Sequence, residues 1–209
     1  PPEFAGAPTL SYVVNAGRSP DDRQPRAPQI QENQADGMFF DRSCPPVSDQ
    51  RGAPQPRDAR QIGNSCAMLQ MSSRYLDSHD GNSKTIMLSE NVHATFYVYY
   101  NPLTGEYNNQ IRDDKQFFGF VWSNNPKPIQ RINGDNEQVI ESMDQLAATY
   151  DFAWPSGQHP GYVNRVFADG HVNQMLETID PPVYRQLMTT RDKASDNITK
   201  GLLANDESL

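Results

Sequence analysis

The 209-residue chain is long enough for one domain with a real core, burying roughly 70% of the surface its unfolded form exposes. A net charge of -8, with 18 Lys and Arg that form no run, argues against nucleic acid as a partner. No stretch approaches the ~20 apolar residues of a membrane span and no signal peptide opens the chain, whose first residues, PPEFAGAP, read as a piece of something longer.

In chain order, LSYVVNAG (10–17) is a β-rich run closed by Ala-Gly and predicts a strand. Residues 18–36 are polar and punctuated by proline, hence an excursion loop, and GMFFDR (37–42) predicts a second short strand. A further Pro-rich loop covers 43–60; ten of the 17 prolines fall in the first 60 residues, so extended loops dominate this part. Ile62, Cys66, Leu69, Ser73 and Leu76 stand near helical spacing, which predicts some helix within 61–79, followed by a turn at HDGN (79–82). Strand formers then concentrate in 84–92, 93–101 and 115–123, with a weaker strand expected at PIQRIN (128–133). Val139, Ile140, Met143, Leu146 and Tyr150 share one helical face, with Asp135 as the cap of that helix.

YVNRVFADGHVNQML carries the clearest local pattern. Two alternating runs flank Asp169-Gly170, which predicts a hairpin closed by a tight two-residue type I′ turn. Asp180 with Pro181 and Pro182 then opens a short helix, and the residues from 194 onward read as a polar, frayed tail. The whole is expected to form a single α+β domain, 1–209, dominated by antiparallel sheet.

The chemical candidates are weaker. Four histidines and many carboxylates invite a metal, but no HExxH, CxxC or closely spaced His pair is present. DSHDGNS (77–83) has the composition of a calcium loop without the EF-hand spacing, so calcium is the best of the poor metal candidates. His159 and Asp169 sit at opposite ends of one strand, too far apart for proton relay, and no nucleophile elbow or phosphate loop occurs. His159, Pro160, Gly161, Asp169 and Gly170 therefore read as a structural motif, and the chain is not expected to be an enzyme. Trp154 reads as a core anchor, and Asn197-Ile-Thr199 as a chance glycosylation sequon. Tyr97, Tyr99 and Trp122 are either sheet core or a ligand-binding aromatic face. Cys44 and Cys66 are either a disulfide or two unrelated thiols.

HPGYVNRVFADGHV, with His159, nine intervening residues and Asp169-Gly170, resembles the prepilin-type processing-associated H-X9-DG motif of a planctomycete-type domain of unknown function. LSYVVNAG, DGNSKTIMLSENV and IDPPVYRQLMTTRD are similar to further segments of that pilin-like or pseudopilin-like family, in the same order. The resemblance implies a globular head lacking its N-terminal apolar helix, exported to the cell envelope with a structural, adhesive or secretion-assembly role. Its partners would be other pilin-like subunits or secretion components, and it would meet a membrane only through that helix. The alternative is an extracellular solute- or glycan-binding module; a hydrolase stands behind both.

Overall fold

Runs of β-branched and aromatic residues become strands where one of their faces can be buried. Tyr12–Arg18 (β1), Ile86–Glu90 (β2), Gly119–Trp122 (β3), Tyr162–Phe167 (β4) and Val172–Leu176 (β5) do so here. The computed structural model describes residues 11–19, 33–40, 70–94, 119–134, 151–199 and 201. The strands form one sheet in the order β3-β1-β2-β4-β5, antiparallel at every pairing except β1 with β3. With two short α-helices among the described residues, Ser73–Asp77 (α1) and Pro181–Met188 (α2), the architecture is α+β, as expected from the sequence. No helix among the described residues is long and apolar enough to cross a membrane.

The alternation in β4 sets the inner face. Val163, Arg165 and Phe167 are buried, whereas Tyr162, Asn164 and Val166 are half-buried on the other face. Val163 and Phe167 join Val13, Ile86, Phe120 and Met175 in the core, with α2 contributing Tyr184, Leu187 and Met188. Each such side chain contributes about 1.5–3 kcal/mol by leaving water. Trp154 is buried in the same cluster, and the Tyr184 hydroxyl donates to the Val121 carbonyl at 2.8 Å. Asp180 precedes the helix as anticipated, but its side chain makes no capping bond; Pro at the first helical position removes a donor that would otherwise need one.

The hairpin is present, with a different turn. Gly170 N–H donates to the Phe167 carbonyl at 2.9 Å and Phe167 N–H to the His171 carbonyl at 3.0 Å. Gly170 has φ of +89°, while Asp169 does not have positive φ. The loop is therefore a three-residue type I turn closed by a glycine bulge, not the two-residue type I′ turn. It relieves Asp169 of the left-handed conformation.

Three other expectations fail. Residues 37–40 of the strand expected at 37–42 run irregularly, because Met38 and Phe39 both donate to the Asn15 carbonyl (3.3 and 3.0 Å) and Gly37 presses on Gly17. A Cβ on Gly37 would lie 2.5 Å from the Gly17 Cα, so the two backbones cross instead of running alongside. PIQRIN is a series of turns closed by Gln130 to Lys127, Arg131 to Ile129 and Gly134 to Arg131, with Asn133 left-handed at φ 55°. The tail from 194 is not frayed over its described part. Arg185 donates to Asn197 Oδ1 (3.1 Å), Thr199 Oγ1 (3.2 Å) and the Ser123 carbonyl (3.4 Å), and Asp192, Ser195 and Asn197 are buried. Buried Asn197 also donates to Asp192, so the sequon amide is occupied within the fold.

The helix expected within 61–79 is α1; Ser72 caps it by accepting from the Tyr75 N–H at 3.2 Å, and Leu76 is its buried residue. Residues 61–69, residues 95–101 of the strand expected at 93–101, residues 115–118 of the strand expected at 115–123 and the helix expected after Asp135 lie outside the described residues, as do most of both excursion loops.

Candidate functional site

The two ends of β4 hold the residues singled out by the sequence. At the first end, Trp154 to Gly161 leads into the strand, and Gly161 turns the corner with φ of +83° while its carbonyl accepts from the Glu177 N–H at 3.0 Å. His159 stacks on Tyr162 with ring centroids 5.0 Å apart, and its Nε2 lies 3.4 Å from Glu90 Oε1. Glu90, at the end of β2, is the centre of this cluster. Its Oε2 accepts from the Asn164 N–H at 2.8 Å, and its Oε1 accepts from Asn164 Nδ2 at 2.9 Å and from the Tyr12 hydroxyl at 3.4 Å.

The Glu90 side chain is only 14% exposed, against 43% for His159. Burial alone would raise the Glu90 pKa, but the two Asn164 donors and the adjacent imidazole outweigh it and hold the carboxyl below its ordinary value. For Tyr12, burial and the Glu90 charge act together and push the phenol up. Gly157 sits against Glu90: a Cβ there would approach Oε2 to 2.9 Å. His159, Arg131, Asn133, Gly157, Gly161 and Glu177 are among the residues lining a shallow polar cleft of about 310 Å³. Asn133 braces its floor by accepting from the Gly157 N–H at 2.9 Å.

At the other end, Asp169 Oδ1 accepts from the His171 N–H at 3.1 Å and lies 2.6 Å from His171 Nδ1. The His171 N–H, more than the small burial that opposes it, holds the Asp169 carboxyl below its ordinary range. The His171 ring stacks on Phe167 at 4.1 Å. The tip is held by the DGNSKT segment: Asp169 N–H donates to the Asn82 carbonyl (3.2 Å) and Ala168 N–H to the Thr85 carbonyl (3.0 Å). That segment in turn meets the residues after α2, since Asp80 Oδ2 accepts from the Asp192 N–H at 2.7 Å and Thr85 lies within 3.5 Å of the Thr189 carbonyl. Asn15 ties the same region together. Buried completely, it donates to the Ile86 and Met188 carbonyls, both at 2.8 Å, and accepts from the Gly17 N–H.

His159 and Asp169 are thus separated by the length of β4, and each belongs to a different cluster. Trp122, expected as either sheet core or part of an aromatic ligand face, is fully buried and its Nε1 donates to the Asp36 carbonyl at 2.7 Å. Tyr97, Tyr99, Cys44 and Cys66 lie outside the described residues. In the segment with calcium-loop composition, Asp77 is bonded to Asn82 and Asp80 to the backbone of Asp192, and no group of three metal-ligating side chains converges among the described residues. Glu90 and Asn164 were missed as site residues. Both lie within quoted motifs, but their pairing depends on the β2–β4 register, which a sequence pattern does not print.

Residues 4–182 match the model of a family described as a protein of unknown function (DUF1559), SBP_bac_10. No curated protein and no solved structure matches the chain.

Proposed function

Starting from the fact that the chain belongs to the DUF1559 family, we propose that it is the display head of an exported, pilin-like or pseudopilin-like envelope protein whose role is structural, adhesive or assembly-related. One observation carries this reading. The His159 to Gly170 motif is engaged at both ends in fixing β4 against its neighbours, through Glu90 at one end and through Asn82 and Thr85 at the other. A segment used in this way organises a scaffold; it does not converge on a reacting bond. The order of the four motif segments along the chain supports the same reading, three of them falling within the matched residues.

The test is to tag the product of the complete gene in a cell that carries prepilin-type processing. The reading expects recovery in the envelope fraction, sensitivity to external protease and loss of a leader. A product found only in the cytosol sinks it. The polar cleft beside His159 favours one second reading, a binding module for a small extracellular solute. It predicts saturable binding in a solute or glycan screen that is lost in His159→Ala and Arg131→Ala, with melting temperature retained.

A further inference from the structure

Among the described strands, β5 forms one edge of the sheet. Its register against β4, together with the bonds from Phe167 to His171 and from Glu177 to Gly161, directs the backbone groups of the odd-numbered residues inward. Those of Val172, Gln174 and Leu176 therefore face outward. Gln174 N–H is held by its neighbour Asn173 Oδ1 at 2.7 Å, and the Leu176 carbonyl accepts from Ile179. Among the described residues, Val172 N–H, Val172 C=O, Gln174 C=O and Leu176 N–H have no partner. Edge strands are usually protected by lysine, proline or a bulge. HVNQMLE (171–177) has no lysine or proline, and the glycine bulge lies at its turn end, clear of Val172 to Leu176. Instead Val172 and Leu176 are 65% and 59% exposed.

The pattern of this edge matches itself. We propose that β5 pairs with β5 of a second copy of this chain, antiparallel about a twofold axis through Gln174. In that register Val172 faces the partner's Leu176, Gln174 faces the partner's Gln174, and His171 faces the partner's Glu177. The two exposed apolar residues meet each other and a basic group meets an acidic one, with no like charges opposed, while on the inner face Asn173 meets the partner's Met175. All three outward-facing residues fall at hydrogen-bonded positions. The Gln174 N–H exchanges its own Asn173 for the partner's Gln174 carbonyl, and the Leu176 carbonyl uses its second lone pair. A register centred on Asn173 would leave Leu176 without a counterpart and would separate His171 from Glu177.

The sheet's outer face reinforces the choice. Val14 pairs with Leu88, Leu88 with Val166 and Val166 with Val172, giving one apolar row across four strands. Dimerisation extends that row through the partner's Leu176 to the partner's Tyr162. The contact is isologous and closed, so it yields dimers and not fibres. Strand pairing alone covers less than a standard interface, so association belongs at roughly 10 μM to 1 mM chain. The inference concerns the 209-residue chain alone and stands apart from the envelope reading.

Sedimentation equilibrium over that concentration range tests it. The expected result is a monomer–dimer equilibrium whose Kd rises at least about tenfold in Val172→Lys and in Leu176→Lys, because each lysine removes an apolar contact and meets an apolar residue. Both sites are exposed, so the melting temperature should not move. Should either variant fail to fold, Gln174→Pro removes an outward N–H at an edge position that tolerates proline and takes its place. A chain that stays monomeric throughout, a Kd unmoved by these substitutions, or open-ended assembly beyond the dimer overturns the proposal.

Discussion

At one end of β4 an imidazole meets Glu90, brought from a distant strand by sheet register; at the other an imidazole meets Asp169, two residues away in the same turn. The local pair is the shorter, 2.6 Å against 3.4 Å, yet its side chains stand 43% and 36% exposed. Proximity in an exposed turn contributes little to stability, because water competes for both partners. The distant pair matters through what surrounds Glu90, a nearly buried carboxylate that accepts a strand N–H which would otherwise go without a partner. A second contrast lies beneath the first. The His159 end opens on a polar cleft, whereas the Asp169 end, exposed at its tip, is closed at its base by backbone bonds to DGNSKT, which in turn meets the residues following α2.

If the closed end is the structural knot, its centre should be the most sensitive position. Asn15→Ala leaves the Ile86 and Met188 carbonyls and the Gly17 N–H without their side-chain partners in a fully buried site. We expect a loss of about 3 kcal/mol in urea denaturation at unchanged m-value. A loss below about 1 kcal/mol would mean that the two ends are equally tolerant, and the contrast would fail.

Glu90→Gln probes the open end. The amide keeps one acceptor but presents an NH2 group to donors, so we expect a loss of about 1–2 kcal/mol near neutral pH. Glu90 has its folded pKa below its ordinary value of 4.5, so its stabilisation is present above that pH and is lost as pH falls through the depressed folded value. The gap between the protein and Glu90→Gln should therefore be constant above about pH 4.5 and close in more acidic buffer, as read from paired urea midpoints. A gap independent of pH would assign the effect to shape alone.

Legibility in the sequence followed the range of the interactions. The hairpin and the Pro181–Met188 helix rest on alternation and on proline at a helix start, both readable within a dozen residues. The turn type was misread because Asp-Gly suits two loop lengths, and only the Phe167 to His171 bond selects the longer one. Alternating apolar residues in PIQRIN could not reveal that Asn133 goes left-handed to brace Gly157. The polar stretch after 194 concealed its order, since what holds it is Arg185 on α2 satisfying Asn197 and Thr199. Hydrophobic pattern sees apolar burial and is blind to polar satisfaction. The Glu90–Asn164–His159 cluster was unreadable for the same reason.

Gly170→Ala sharpens the account of the tip. At φ of +89°, with no atom within 4 Å of the added Cβ, the substitution adds backbone strain and nothing else. The cost should be about 1 kcal/mol, seen as a lower thermal midpoint with association through β5 retained. A cost several times larger would show that the tip is packed against residues other than Asn82 and Thr85.

The smallest effect should have the opposite sign. Burial raises the Asp80 carboxyl; the Asp192 N–H opposes that, and the nearby Asp192 charge adds to it, leaving the folded pKa above the ordinary 3.8. A raised carboxyl contributes stability that is fully present below the unfolded value and lost as pH rises through the folded one, so near pH ~7 the ionised group carries a penalty. Asp80→Asn removes that charge and keeps an oxygen for the Asp192 N–H. The melting temperature should hold or rise by about 1–2 °C near neutral pH, with the difference vanishing in acid. Glu90→Gln and Asp80→Asn would then move stability in opposite directions at neutral pH and converge on the parent protein at low pH. A drop in melting temperature for Asp80→Asn would mean that the closed end, like the open one, is held by a carboxylate charge, and the distinction between the two ends would reduce to exposure.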